Sequence, residues 1–115
     1  MTERQLIDKF IRSAWRHDVF HDTERREVPL TVNGDLVFNR VQADLILENK
    51  SKAWVCEAKV VMNPQAIGQV LVAAEVYREM TERKKEIVPV VITHQAKGVL
   101  KWAAERLKIR VIEIP

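Results

Sequence analysis

Two carboxylates and one amine, Asp44, Glu57 and Lys59, lie in apolar runs where charge is costly, and chemistry is to be sought there first. Glu57 and Lys59 interrupt AWVCEAKVV, an otherwise apolar run of strand character. Their spacing puts both side chains on one face of that strand, opposite Trp54, Cys56, Ala58 and Val60. The preceding run, VQADLILE, ends in the polar turn Asn49-Lys50-Ser51-Lys52, and a turn centred between Lys50 and Ser51 sets Asp44 directly across from Glu57. Facing residues of an antiparallel pair hold their Cβ atoms roughly 5 Å apart. Two ionised carboxylates that close repel one another unless a cation lies between them. Lys59 can neutralise one of them, leaving a partly buried salt-bridge cluster without chemistry. A hard divalent cation such as Mg²⁺, which takes one or two protein carboxylates and keeps several waters, suits the pair better. Glu82-Arg83-Lys84 repeats the E-x-K spacing near a helix end, where residues two apart share no face, and carries no such implication.

The elements that must position these residues follow from periodicity and punctuation. Thr2 and Gln5 have capping-box spacing, and Leu6, Phe10, Ile11, Ala14 and Trp15 recur at helical intervals, which predicts a helix from about Thr2 to Arg16. The polar stretch from His17 to Arg26 reads as a loop. Asn33-Gly34 between EVPLTV and DLVF predicts a hairpin, so the run from Glu27 to Val61 reads as a three-stranded meander. Asn63-Pro64 supplies an N-cap and first-turn proline for a long helix to about Lys84. EIVPVVIT, a last helix from Gln95 to about Lys108, and IRVIEI complete the order. The resulting αβββαβαβ sequence predicts an α/β fold of three layers, a mixed sheet with helices on both faces.

Composition bounds the function. A chain of 115 residues, 47% hydrophobic and 30% charged, predicts one domain over 1–115 with a core of its own and argues against disorder. The three glycines form neither GxGxxG nor GxxxxGK[ST], which excludes two common nucleotide-binding fingerprints. The single Cys56 allows no internal disulfide, and His17, His21 and His94 show no metal-ligand spacing. With a charged N-terminus and no long apolar stretch, a cytoplasmic protein away from the membrane is expected. A net charge of +3 and a pI of about 9.2 permit a nucleic-acid partner without requiring one.

Asp44 on one strand and Glu57-Ala58-Lys59 on the next, within an αβββαβ core, resemble the PD-(D/E)XK nuclease superfamily of restriction-endonuclease-like fold. The resemblance runs from about Thr2 to Thr93; Ala43 stands where the family often has proline. Gln69, with Tyr77 two turns on, is similar to the Gln-plus-Tyr signature of the RecB-like and lambda-exonuclease-like branch. Read from the residues alone, Gln69 bonds locally and Tyr77 belongs to the core. Glu3 in Thr-Glu-Arg-Gln-Leu is similar to the first-helix acid of archaeal Holliday junction resolvases; equally, it is a carboxylate well placed at a helix N-terminus. The resemblance implies Mg²⁺-dependent phosphodiester hydrolysis, with Mn²⁺ able to substitute. Asp44, Glu57 and the main-chain carbonyl of Ala58 would ligate the metal, with Glu3 assisting. Lys59 would position the attacking water, and Gln69 would orient the lysine or the nucleophile.

A nuclease must also hold a phosphate backbone. Arg4 and Arg12 on the first helix, Arg25 and Arg26 after it, Lys84 and Lys85, and Lys97 and Lys101 are the candidates for DNA contact, although each is by default a solvated surface residue. Trp102 reads as core or interface packing. With no recognition-helix or zinc-finger pattern, selectivity should fall on nucleic-acid structure rather than base sequence. A structure-selective endonuclease of the junction-resolvase kind would be a homodimer, and a RecB-like nuclease would act on single strands or ends. The small surface leaves room for an additional protein partner. The alternative is a catalytically silent nucleic-acid-binding or protein-interaction module that keeps the nuclease fold.

Overall fold

The computed structural model describes residues 1–31 and 41–115, so the expected Asn33-Gly34 turn lies outside the described residues. Among the described residues one five-stranded sheet runs in the order β1 (Thr23–Leu30), β2 (Val41–Glu48), β3 (Lys52–Val61), β4 (Glu86–Gln95), β5 (Arg110–Glu113). The first two pairings are antiparallel and the last two parallel. Helices α1 (Glu3–Ser13), α2 (Pro64–Met80) and α3 (Gly98–Arg106) complete the expected αβββαβαβ order. Both parallel crossovers step across the sheet in one direction and therefore fall on one face, with α2 and α3 meeting around Val70, Val91 and Ala104. α1 covers the other face, packing Leu6 and Phe10 on Leu45, Trp54, Cys56 and Ile92. Among the described residues, no helix is long and apolar enough to cross a membrane.

Local chemistry explains most boundaries. The Thr2 hydroxyl accepts from the Gln5 N–H at 3.1 Å while the Gln5 side chain accepts from the Thr2 N–H at 2.8 Å, a complete capping box. Asn63 caps α2 by accepting from the Ala66 N–H at 2.9 Å, with Pro64 in the first turn. Pro89 is tolerated in β4 because β5 pairs only from Val90 onward, so the proline sits where β4 is still an edge. Burial pushes the Cys56 thiol well above its ordinary pKa, so it is an inert core residue.

Four expectations need correction. The stretch from Thr23 to Arg26 is not loop but the start of β1, paired with Leu45 to Glu48; as a strand at the sheet edge, exposed along its first five residues, it lacks the alternation by which strands are recognised. The long helix stops at Met80 rather than near Lys84, because Glu82 and Arg83 both take left-handed backbone conformations with φ of 55° and 57°. The first helix ends at Ser13 and tightens into a 3₁₀ turn over Ala14–His17, which leaves Trp15 61% exposed instead of in the core. Trp102 is likewise exposed, with the Arg106 guanidinium 4.8 Å from its ring centre.

Candidate active site

The sheet comes apart where the acids lie. β2 and β3 pair from Glu48↔Ala53 to Leu45↔Cys56, the register that the sequence implies, and the ladder stops one step short of Asp44 and Glu57. On the other side of β2 the ladder to β1 is interrupted at the same level. Arg26↔Leu45 and Val28↔Ala43 pair, but Glu27, opposite Asp44, has a left-handed φ of 50°. A non-glycine residue in that region costs about 1–3 kcal/mol, so the surrounding pairs must hold it there. Asp44 is thereby released from both neighbours. In place of a strand bond its Oδ2 accepts from the Ala58 N–H at 2.9 Å. Because N–H and C=O of one strand residue point to the same side, the Ala58 carbonyl also faces this gap.

Glu57 is half-buried and in hydrogen-bond contact with Asp44. Burial first, then the Asp44 charge and the bond to it, push the Glu57 carboxyl up to about 8, with Glu3 adding and Lys59 opposing. Burial and the neighbouring acid thus favour the protonated form of Glu57, and a cation can take that proton's place. Lys59 follows on β3, its Nζ 3.8 Å from Glu3 Oε1. Its paired neighbour on β4 is Thr93, a fully buried polar residue. The Thr93 hydroxyl, 3.1 Å from the Val60 carbonyl and 3.2 Å from that of Gln95, fixes the backbone that presents the lysine. A cleft of about 570 Å³ opens between α2 and the separated strands, lined by Gln42, Asp44, Glu57, Gln65, Gly68 and Gln69 among others. A second, of about 450 Å³, reaches Asp44 from the side of Glu3, Arg4 and Glu27.

The fold thus brings Asp44, Glu57, Lys59 and the Ala58 backbone together, with Gln69 on the cleft wall. Glu3 reaches the lysine. Among the described residues no three acid, histidine or cysteine side chains converge as a metal-binding group, and the side chain that Glu3 meets is Lys59. Tyr77 lies elsewhere. Its hydroxyl donates to Glu48 Oε1 at 2.7 Å and accepts from Arg25 at 2.6 Å, at the far end of β2, roughly 13 Å along the strand from Asp44.

The basic candidates divide. Arg25 and Lys85 are engaged with Glu48, at 3.3 and 3.0 Å, and face away from the acids. Arg26 pairs with Asp8 at 2.6 Å, Lys84 with Glu82 at 3.0 Å, and Lys101 with Glu113 at 3.2 Å. Arg4, Arg12 and Lys97 make no ion pair among the described residues, and Arg4 lines the second cleft. Sequence reasoning missed Gln65 and Gly68 in the first cleft, although Gln65 stands one turn before Gln69 and so shares its helix face.

No family model matches the chain, and no curated protein does. Solved structures are similar to it. A repair endonuclease from Pyrococcus abyssi aligns over 99% of this chain with a TM-score of 0.66 at 11% identity. EndoMS in its dsDNA2 complex aligns over 93% with a TM-score of 0.58 at 13% identity. The chain spans 47% and 43% of those longer chains. It has the restriction-endonuclease-like fold, the architecture of the PD-(D/E)XK nucleases.

Proposed function

We propose that the chain is a divalent-metal-dependent nuclease that hydrolyses phosphodiester bonds in DNA and selects nucleic-acid structure rather than base sequence. The observation that carries this reading is the Asp44–Glu57 pair, set at the break in the sheet with Lys59 beside it. Support comes also from the fold, which a repair endonuclease and a DNA-bound endonuclease share.

The residues fit a hard cation. Their donors are oxygens only, and two half-buried carboxylates in contact are short of positive charge. Among the described residues no third acid, histidine or cysteine joins the pair, which suits Mg²⁺, an ion that keeps most of its waters, better than zinc. Asp44 and Glu57 would hold it, with the Ala58 carbonyl as the main-chain donor. Bound there, the ion would polarise a phosphate oxygen and lower the pKa of an attacking water. Lys59 orients that water and offsets charge gathering on the phosphate, and Glu3 keeps the lysine extended toward the acids. Gln69 offers an uncharged amide to the phosphate or the water. Arg4, Arg12 and Lys97 contact the backbone, which makes binding dependent on salt and largely indifferent to sequence.

The Glu3–Lys59 contact, together with Tyr77's place away from the acids, favours the junction-resolvase-like form over the RecB-like one. That form needs two copies for symmetric cuts, and a monomer on a sizing column would count against it. The reading itself is tested on branched, duplex and single-stranded DNA with Mg²⁺, Mn²⁺ or EDTA. Metal-dependent cleavage that disappears in Lys59→Ala is expected. Firm DNA binding with no cleavage under any metal would leave the silent module instead.

A further inference from the structure

The first turns of α2 carry an uncharged stripe that the fold does not require. Gln65, Gly68, Gln69 and Val72 recur at helical spacing, all four are exposed, and all four line the cleft over Asp44 and Glu57. Exposed helix faces are ordinarily charged, and α2 becomes so one turn later at Glu75, Arg78 and Glu79. Val72 is 51% exposed, with Val41 beside it in the lining of the same cleft. Gly68 is the sharper anomaly. Glycine within a helix lowers stability relative to alanine, yet among the described residues a Cβ built at Gly68 meets no atom within 4 Å, so no close packing by them explains the missing side chain. The space it leaves opens into the cleft.

We propose that this stripe is the wall on which the sugar and base side of a nucleic-acid strand rests, and that Gly68 is bare so that the strand can approach α2 closely. The inference rests on the nuclease reading for the class of ligand. Charge would fail here in either sign: an acid would add to the repulsion of phosphate by Asp44 and Glu57, and a lysine or arginine would pair with them and displace a cation. The Gln65 amide contacts bases and sugars without either effect, Gln69 stays with the phosphate or the water, and Val72 adds an apolar contact. A cleft of about 570 Å³ lies within the roughly 300–1,000 Å³ typical of ligand sites.

The test is binding without catalysis. Fluorescently labelled single-stranded and duplex oligonucleotides are titrated in EDTA with the wild-type chain, Gly68→Ala and Gly68→Leu, alongside thermal melts. Gly68→Ala should melt a few degrees higher yet bind several-fold more weakly. Gly68→Leu should keep the wild-type circular dichroism and bind at least tenfold more weakly. Wild-type affinity in Gly68→Leu, or no binding by the wild-type chain, overturns the inference. Binding that depends on residue 68 without cleavage under any metal would uphold it while the nuclease reading fell; cleavage indifferent to residue 68 would do the reverse.

Discussion

The two ends of β2 carry a carboxylate each, on the same face of the same strand, in opposite electrostatic circumstances. At one end Glu48 is satisfied. Burial alone would raise its pKa, but the Tyr77 hydroxyl and the Lys85 ammonium, with the Arg25 charge, hold it below the ordinary carboxylate range. Burial, then the bond to Glu48 and its charge, push the Tyr77 hydroxyl up to about 12, with Arg25 opposing. At the other end Asp44 has a backbone N–H and a second acid, and Glu57 is driven upward. One cluster is closed on itself and ties β1, β2, α2 and the start of β4 together. The other is short of one positive charge and faces a cleft. An acid provided with partners serves the fold; an acid left short of them in an open site is poised for a ligand.

The largest expected effect would break the comparison at the open end. Lys59→Ala should lower metal-dependent cleavage by about 10²–10³-fold, the scale of losing one preorganised charge partner, with the melting temperature nearly unchanged. At the closed end Glu48→Ala strands Arg25, Lys85 and the Tyr77 hydroxyl, and should cost about 3 kcal/mol in urea unfolding while leaving Mn²⁺ binding by calorimetry intact. Equal damage to metal binding would show that the two ends are not independent.

Smaller effects sharpen the contrast. Because Glu57 is held at about 8, above its ordinary 4.5, the fold favours its protonated form. That contribution is whole below pH 4.5 and is lost as pH rises through about 8. Glu57→Gln should therefore melt above the wild-type chain at pH 9 and level with it at pH 4, a gain on the order of 1 kcal/mol after solvent screening of a half-exposed group. Saturating Mn²⁺ should give the wild-type chain a similar gain. Tyr77→Phe is the mildest, removing one hydrogen bond worth about 1 kcal/mol from the closed end, with cleavage rates as in the wild-type chain.

The open end was the more legible of the two. Asp44, Glu57 and Lys59 stand out because strands have a period of two and a short polar turn fixes the register, so three charges in apolar runs could be placed on one patch without knowing the rest. The order of elements was legible for the same kind of reason, through caps, prolines and apolar spacing. Tyr77 was legible as core but its partners were not, since a helix position fixes a face but not the point on the sheet where that face arrives, and Glu48 and Arg25 are distant in sequence. The start of β1 was hidden because an edge strand with both sides in solvent has no apolar alternation. The basic residues were misleading one at a time: Lys85 and Arg25 read as surface cations, yet each is drawn to Glu48 by a fold that brings them there.

The bond from the Ala58 amide to Asp44 makes one main-chain proton a built-in gauge of the site. Whatever draws electron density from that carboxylate, be it a proton or a metal ion, must weaken its hold on the amide. In an isotope-labelled sample the Ala58 resonance should therefore shift on titration while those of Val55 and Cys56, inside the intact ladder, stay in place. The occupancy of the acids could then be followed at one backbone nitrogen, in the absence of any substrate.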